Sequence, residues 1–128
     1  MSGRLIISPL SVKIGGNKKF ILNLNNYRNT HFILLNKAKQ AYSKAIYQQI
    51  YSIGPYEKIH IEYKLFPKTK RRTDIANVTS IHAKFICDAL VKCNVIEDDD
   101  YTHVVSSSEL FVCVDANNPR VEILITEV

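Results

Sequence analysis

Residues 58–66 read KIHIEYKLF, and this stretch decides the fold because its side chains alternate strictly between apolar and polar. The apolar members would share one face of an extended chain: Ile59, Ile61, Tyr63 and Leu65. Successive side chains of a β-strand point to opposite faces. The pattern therefore predicts a half-buried strand whose apolar face packs against other elements.

Two segments with helical periodicity flank this strand. Over residues 34–53, apolar residues recur on one side of a helix with lysines on the other, and the dipeptide Gly54-Pro55 ends the pattern. A second helix is predicted over residues 78–93, after Pro67 and a loop rich in lysine and arginine. One helix thus precedes the strand and one follows it.

Shorter segments complete the predicted architecture. The sequences IGGN and ANNP are turn signals, and the asparagine-rich residues 23–31 are expected to form a polar connection. A strand at 102–106 is left open. Four further strands are expected, at residues 4–7, 18–24, 109–114 and 120–127. The order β-β-α-β-α-β-β predicts one α+β domain, in which two helices pack on a single mixed β-sheet.

The composition is that of an ordinary globular protein with an excess of basic residues. The 128 residues carry a net charge of +5, from 17 lysines and arginines against 12 aspartates and glutamates, which suits a polyanionic partner. The three cysteines form no CxxC pair and the four histidines lack metal-ligand spacing, which argues against a zinc enzyme. No apolar run is long enough to span a bilayer, and the N-terminus is a poor signal peptide. A cytoplasmic protein without a membrane partner is expected.

Opposite charges gather at the two ends of the second helix. Four cations precede it: Lys68, Lys70, Arg71 and Arg72. Three consecutive carboxylates follow it: Asp98, Asp99 and Asp100. Such carboxylate clusters are either solvated loops or ligands of divalent cations such as Mg²⁺. Together with cations that bind phosphate, the second reading indicates metal-dependent attack on a phosphodiester.

A polar stripe connects these charges along the helix. At about 100° per residue its members fall on one side: Asp74, Asn77, Lys84 and Asp88. Any surface helix has a solvated polar side, and Lys84 with Asp88 would form only a weak ion pair across one turn. The alternative interpretation is therefore that these residues form an ordinary solvated helix face with no chemical role.

The chain that follows the helix can double back along it. Extended residues after the helix would carry Asp99 back beside Asp88 or Lys84. For Asp99 to reach Asp74 as well, one of two conditions must hold. Either the helix begins late, with Thr79 or Ser80 as its N-cap, or the basic loop folds back over it.

In this order the motifs resemble the RusA-type Holliday junction resolvases. RRTDIAN (71–77) is similar to that family's arginine-rich loop and Asp-x-Asp-Asn motif, and KFICDALVKCNVIEDD (84–99) to its lysine, Asp-Ala-Leu and paired aspartates. NNYRNTHFILLNKAKQAYSKAI (25–46) looks like the family's polar loop and first helix, and RVEILITEV (120–128) like its last strand. The likeness covers the chain from Leu24 to its end.

The resemblance implies one RusA-like endonuclease domain over residues 1–128, from a bacterium, phage or prophage. It would be a homodimer that nicks paired strands of four-way DNA junctions in recombination and repair, with Mg²⁺ as cofactor and Mn²⁺ as an alternative. The catalytic residues would be Asp74, Asp99 and Lys84. The metal would bind Asp74, Asp98 and Asp99, with Asp88 and Asp100 as further candidates. The DNA-binding residues would be Lys68, Lys70, Arg71, Arg72, Asn26 and Arg28.

Two departures from the family pattern open an alternative function. Ala76 stands where the family has the second aspartate of its Asp-x-Asp-Asn motif, and about four extra residues separate Asn77 from Lys84. The insertion is close to one helical turn and would keep the stripe on one face. Asp88 or Asp100 would replace the missing carboxylate, or the protein would bind branched DNA without cutting it. A structural domain without DNA affinity is the third reading.

Overall fold

The structure is a computed structural model that describes residues 3–128. Its elements in chain order are β1 (Arg4–Ser8), β2 (Ser11–Gly15), β3 (Lys18–Ile21), α1 (Leu24–Asn29), α2 (Phe32–Ile50), β4 (Ile59–Phe66), α3 (Ile75–Lys92), β5 (Val104–Phe111) and β6 (Arg120–Glu127). The predicted α+β class is confirmed. The strand predicted from KIHIEYKLF is β4, and its alternate residues are buried as expected.

Strand β4 lies inside a mixed sheet of four strands in the order β1-β6-β4-β5. It is antiparallel to β6 and parallel to β5, while β1 completes the sheet on the far side of β6. The parallel pair requires a crossover, and α3 supplies it. Consequently α3 runs back from the end of β4 to the start of β5, and its two ends lie near opposite ends of these two strands.

Helices α2 and α3 bury the apolar face of this sheet. Phe85 of α3 stacks on Phe20 of β3 with ring centroids 5.9 Å apart and meets Tyr42 of α2 edge-on at 5.4 Å. The largest fully buried side chains form one cluster: Tyr42, Phe85, Ile6, Leu22, Ile46, Ile50, Ile59, Ile61, Ile81, Ile86, Leu90 and Ile96. One core thus serves the whole domain.

The predicted single sheet with two helices differs from the structure, which has a second, two-stranded sheet and a third helix. Strands β2 and β3 form a separate antiparallel hairpin, so a strand at Ser11–Gly15 was missed and the strand expected at 18–24 ends at Ile21. Gly16 at the hairpin turn has φ +51°, which glycine adopts without steric cost. The alternating Val12 and Ile14 are the signal that was overlooked, because the segment is short.

A short helix, α1, replaces the polar connection expected over residues 23–31. The Asn23 side chain caps it by accepting a hydrogen bond from the Asn26 amide (2.8 Å). Asparagine favours this position because its side chain satisfies an amide that the helix leaves free. Helix α2 then begins at Phe32 and ends at Ile50, near the expected limits of 34 and 53.

Strand β5 merges two expectations that the sequence kept apart. It covers Val104–Phe111, so the open strand at 102–106 and the strand expected at 109–114 are one element with shifted limits. Seven of its eight residues are exposed. An edge strand with so little burial lacks the alternation of apolar residues that marks a half-buried strand, which is why its limits were misplaced.

Helix α3 begins at Ile75, earlier than the expected residue 78, with Asp74 at its N-cap position. The late start with Thr79 or Ser80 as N-cap is therefore wrong. Thr79 lies inside the helix, where its hydroxyl donates to the Ile75 carbonyl (3.0 Å) and to the Glu109 carboxylate of β5. Burial of Thr79 against β5 explains why a favourable capping residue is found within the helix.

The core also contains three hydrogen-bonded polar side chains. Ser8 Oγ lies 2.6 Å from both the Tyr42 hydroxyl and His82 Nδ1, and all three residues are fully buried. Nε2 of His82 has no partner among the described residues. Burial lowers the pKa of His82 to about 3, because the charged imidazolium would lose its hydration there.

We expect this histidine to make the fold sensitive to acid. The unfolded chain binds a proton near the ordinary histidine pKa of about 6.5, whereas the folded chain does not until about pH 3. The contribution of His82 to the free energy of unfolding is then complete above pH 6.5. It falls by about 1.4 kcal/mol per pH unit between pH 6.5 and pH 3. Urea unfolding should be measured at pH 7 and at pH 5. Between these pH values the free energy of unfolding should fall by about 2 kcal/mol more in wild type than in His82→Gln, because glutamine does not titrate. Equal losses in the two proteins would contradict the assignment.

Candidate functional site

The polar stripe lies along the outer side of α3. Asp74 is exposed at the N-cap position and its side chain makes no capping hydrogen bond, so its carboxylate is free to bind elsewhere. Lys84 is exposed in the middle of the helix, and Asp88 is partly exposed one turn further on. The stripe therefore presents a carboxylate near each end with a cation between them.

The acidic loop, residues 98–100, folds back beside α3. The pKa of Asp99 is raised by partial desolvation, by a hydrogen bond with Asp98, and by the negative charges of Asp98 and Asp88. The Asp99 amide donates to the Asp98 carboxylate (2.7 Å). The effect of the Asp88 charge indicates that Asp99 lies near the C-terminal end of α3. The mutual repulsion of these carboxylates favours a cation beside them.

Asp100 is engaged differently from its two neighbours. Its carboxylate accepts hydrogen bonds from the Thr102 amide (3.0 Å) and the Thr102 hydroxyl. The hydrogen bond from the Thr102 side chain is the main cause of the lowered pKa of Asp100. Asp100 therefore holds the turn that leads into β5, and Asp98 and Asp99 are the carboxylates left for a ligand.

Cys87 lies next to these carboxylates without being a nucleophile. Burial, then the negative charges of Asp99 and Asp88, raise the pKa of its thiol to about 11. A thiol with this pKa is protonated at neutral pH, and only the thiolate attacks or binds metal strongly. Because the charges of both Asp99 and Asp88 act on this thiol of α3, Cys87 also indicates that the acidic loop lies near the helix.

Two residues that the sequence did not single out complete this end of the site. Nζ of Lys39 in α2 lies 3.7 Å from the Asp88 carboxylate. The ammonium groups of Lys84 and Lys39 lie 5.6 Å and 6.0 Å from the ring centroid of Tyr27 in α1. Because both cations contact an aromatic face, they are held on the same side of α3. No sequence signal distinguishes Lys39 from the other lysines of α2.

The basic loop, residues 68–72, borders a cleft at the other end of α3. The cleft has a volume of about 410 Å³ and lies between this loop, α1 and the first turn of α3. Its polar lining includes Asn25, Asn77, Lys68, Arg71 and Arg72. Three of the cations expected to bind DNA thus meet in one concave surface.

The other expected DNA ligands are less concentrated. Lys70 lines a neighbouring cleft between the basic loop and Phe111 of β5. Arg28 is exposed in the last turn of α1. Asn26 donates from its side chain to the Ile21 carbonyl (3.1 Å), so it stabilises the start of α1, and Asn25 faces the cleft in its place.

The structure does not bring Asp74 and Asp99 together within one chain. Asp74 and Asp88 are fourteen positions apart on α3, about 21 Å at 1.5 Å per residue. Asp99 lies at the Asp88 end, and in residues 3–128 no three His, Cys, Asp or Glu side chains are grouped to hold a metal. Asp98 and Asp99 nevertheless fit Mg²⁺, which usually takes one or two carboxylates and completes its shell with water and phosphate.

Comparison with known proteins adds no relative to this description. No family model matches the chain, and no curated protein is significantly similar to it. Within residues 3–128, no helix has both the length and the apolar character needed to cross a membrane. Functional inference therefore depends on the residues and their placement.

Proposed function

We propose that this protein is a RusA-type endonuclease, dependent on a divalent metal, that cleaves four-way DNA junctions as a homodimer. The observation that carries the proposal is the arrangement on α3. A basic cleft lies at its N-terminal end, and Asp99 lies near Asp98 and Asp88 at its C-terminal end. Phosphate-binding cations and exposed carboxylates, here in the loops at the two ends of one helix, are the two parts that metal-dependent phosphodiester cleavage requires.

The basic loop would bind the DNA backbone. Lys68, Arg71 and Arg72 line a concave surface, which concentrates their positive field on a phosphate. Arginine can also bind phosphate through two parallel hydrogen bonds. Such contacts hold the DNA in position and carry little sequence information, which suits recognition of a branched shape.

The carboxylate end would perform the chemistry. Asp98 and Asp99 would hold Mg²⁺, which when bound polarises the phosphate and supplies hydroxide at neutral pH. Lys84 is exposed one helical turn before Asp88, and its ammonium group lies over the Tyr27 ring on this side of α3. A fixed cation stabilises the negative charge that develops on phosphate oxygens during cleavage. Lys39, in contact with Asp88, would neutralise that carboxylate in the absence of DNA.

A second candidate function is binding of branched DNA without cleavage. Two observations favour it: Ala76 replaces a carboxylate of the family motif, and Asp74 lies about 21 Å from Asp88 along the helix. The basic cleft does not depend on either carboxylate. Such a protein would keep junction affinity and lack nuclease activity.

The first experiment incubates the protein with a synthetic four-way junction and with linear duplex of the same sequence, in Mg²⁺ and in EDTA. The nuclease predicts symmetric nicks in the junction alone, only with Mg²⁺. Tight junction binding with intact strands at every Mg²⁺ concentration would support the second candidate, and Ala76→Asp would then be the variant to test for rescue. Absence of DNA affinity at low salt would overturn both, because phosphate contacts are strongest there.

A further inference from the structure

Strand β5 is a free edge of the four-stranded sheet. It pairs with β4 on one side, and no other strand among residues 3–128 pairs with its outer side. An edge strand presents unpaired N–H and C=O groups that can pair with another chain. The outer side of β5 is therefore an open binding surface of the molecule.

This edge lacks most of the features that keep edge strands apart. β5 contains no lysine, arginine or proline, and its register irregularity is confined to its first residues. Large apolar side chains are exposed at both ends of the segment: Val105 (40%), Leu110 (37%), Phe111 (55%) and Val112 (40%). An open edge with exposed apolar side chains favours a partner strand.

The backbone of β5 shows which groups a partner would meet. The Val112 amide, just past the strand, donates to the Leu65 carbonyl in β4 (3.0 Å). Backbone groups of successive strand residues point to alternate sides, so Phe111, Glu109 and Ser107 direct theirs outward. Three outward-facing residues are enough for a short antiparallel ladder.

We propose that a second copy of this chain pairs with β5 in antiparallel orientation, about a two-fold axis at Ser108. The two sheets would then be continuous. In this register Val105 is opposite Phe111 of the second copy, an apolar pair of the kind that stabilises antiparallel strands. A register centred on Glu109 would instead oppose two carboxylates. A two-fold dimer uses the same surface on both subunits, as this edge permits.

Helix α3 leaves room for this partner above β5. The side of the helix over β5 carries small residues, and a cavity there is lined by Thr79, Ser80, Ala83 and Ser107. The hydroxyl of Ser80 is buried and has no hydrogen-bond partner among the described residues. Small side chains let two helices approach closely, so the α3 helices of the two copies can pack across the axis.

Charge complementarity selects a second copy over another protein. The acidic loop precedes the start of β5, whereas Phe111 at its end borders a cleft with Lys70, Arg71 and Arg72. Antiparallel pairing places the start of one β5 beside the end of the other. Each acidic loop would then lie next to the basic loop of the second copy, where opposite charges attract.

The same pairing completes the site that one chain leaves divided. Asp74 directly follows the basic loop, so Asp99 of one copy would approach Asp74 of the other. This step rests on the proposed nuclease function, whereas the pairing of the two β5 strands is argued from the open edge and the charges beside it. The composite site would contain both carboxylates that the family resemblance pairs.

The dimer can be tested without DNA or metal by measuring mass in solution. We expect wild type to have twice the chain mass of 14.6 kDa. Ser107→Pro removes an outward amide without affecting the β4 side, and proline is tolerated at a free edge; this variant should be a monomer. Ser107→Thr keeps the amide and should remain a dimer. A monomeric wild type, or a dimeric Ser107→Pro, would overturn the proposal.

Cross-linking provides a second measurement in case Ser107→Pro fails to fold. Ser108→Cys in a Cys113→Ser background places two thiols directly opposite each other on the axis, within disulfide reach. Mild oxidation should convert most of this protein to a covalent dimer. Ser52→Cys in the same background, exposed in the turn after α2, should not cross-link. Equal cross-linking of both variants, or of neither, would refute the pairing. The junction assay tests cleavage separately, so failure of this pairing would leave the nuclease activity to be decided there.

Discussion

Asp99→Asn is expected to abolish junction cleavage while junction binding survives or strengthens. The pKa of Asp99 is raised by partial desolvation and by the nearby Asp98 and Asp88 carboxylates, so a bound cation would stabilise its charged form. Asparagine keeps its size and removes its charge. We expect at least a roughly 100-fold loss of rate, the scale on which single groups stabilise charged transition states. Loss of a negative charge that faces phosphate accounts for equal or tighter binding.

Asp100→Asn is the matched control for this variant. Asp100 is adjacent in sequence and also exposed, but its carboxylate accepts hydrogen bonds from Thr102 and holds the turn before β5. Asparagine retains an acceptor oxygen at that position, so cleavage should persist. Gel assays of nicking and of junction binding would be made on both variants in parallel. Equal loss of cleavage in the two would contradict the assignment of Asp99, because it would indicate disruption of the loop.

The sequence predicts best those elements whose buried residues recur at a regular spacing. Strand β4 has a strict two-residue alternation, and α2 and α3 have apolar sides that repeat with a helical period. Elements with little burial were missed or misplaced. Strand β5 is exposed along nearly its whole length, and no residue of α1 is buried. Pairing with β4 in one case, and the Asn23 cap in the other, hold these elements in place.

The site was predictable in its parts and not in its arrangement. The basic loop, Lys84 and the acidic loop could all be identified from charge and spacing. The cation–aromatic contacts of Tyr27 with Lys39 and Lys84 join three helices, and no local pattern reveals such a contact. The separation of Asp74 from Asp99 follows from topology: α3 crosses over between parallel strands, so loops at its two ends lie far apart.

This separation makes the number of chains in the site the central question. A helix of eighteen residues is about 27 Å long, more than the reach of one metal ion and its ligands. If Asp74 takes part in cleavage, it must therefore work with carboxylates from another chain. If it does not, Asp98 and Asp99 must suffice within one chain. Asp74 is the residue whose variants distinguish the two cases.

Mixing Asp74→Asn with Asp99→Asn is expected to restore nicking that neither variant has alone. In a mixed dimer, the site formed by Asp74 of one chain and Asp99 of the other retains both carboxylates, while the second site lacks both. Random exchange makes half of the dimers mixed, each with one of two sites intact, so about a quarter of wild-type nicking should return. Cuts should be single rather than paired.

The controls for this experiment separate the composite site from simpler arrangements. Native mass spectrometry of differently tagged chains would establish that mixed dimers form. Each variant should also bind the junction alone, because the basic loop is intact in both. Mixed dimers without nicking would place each site within one chain. If Asp74→Asn alone cleaves like wild type, Asp74 has no catalytic part, and Asp98 with Asp99 would form the metal site in each subunit separately.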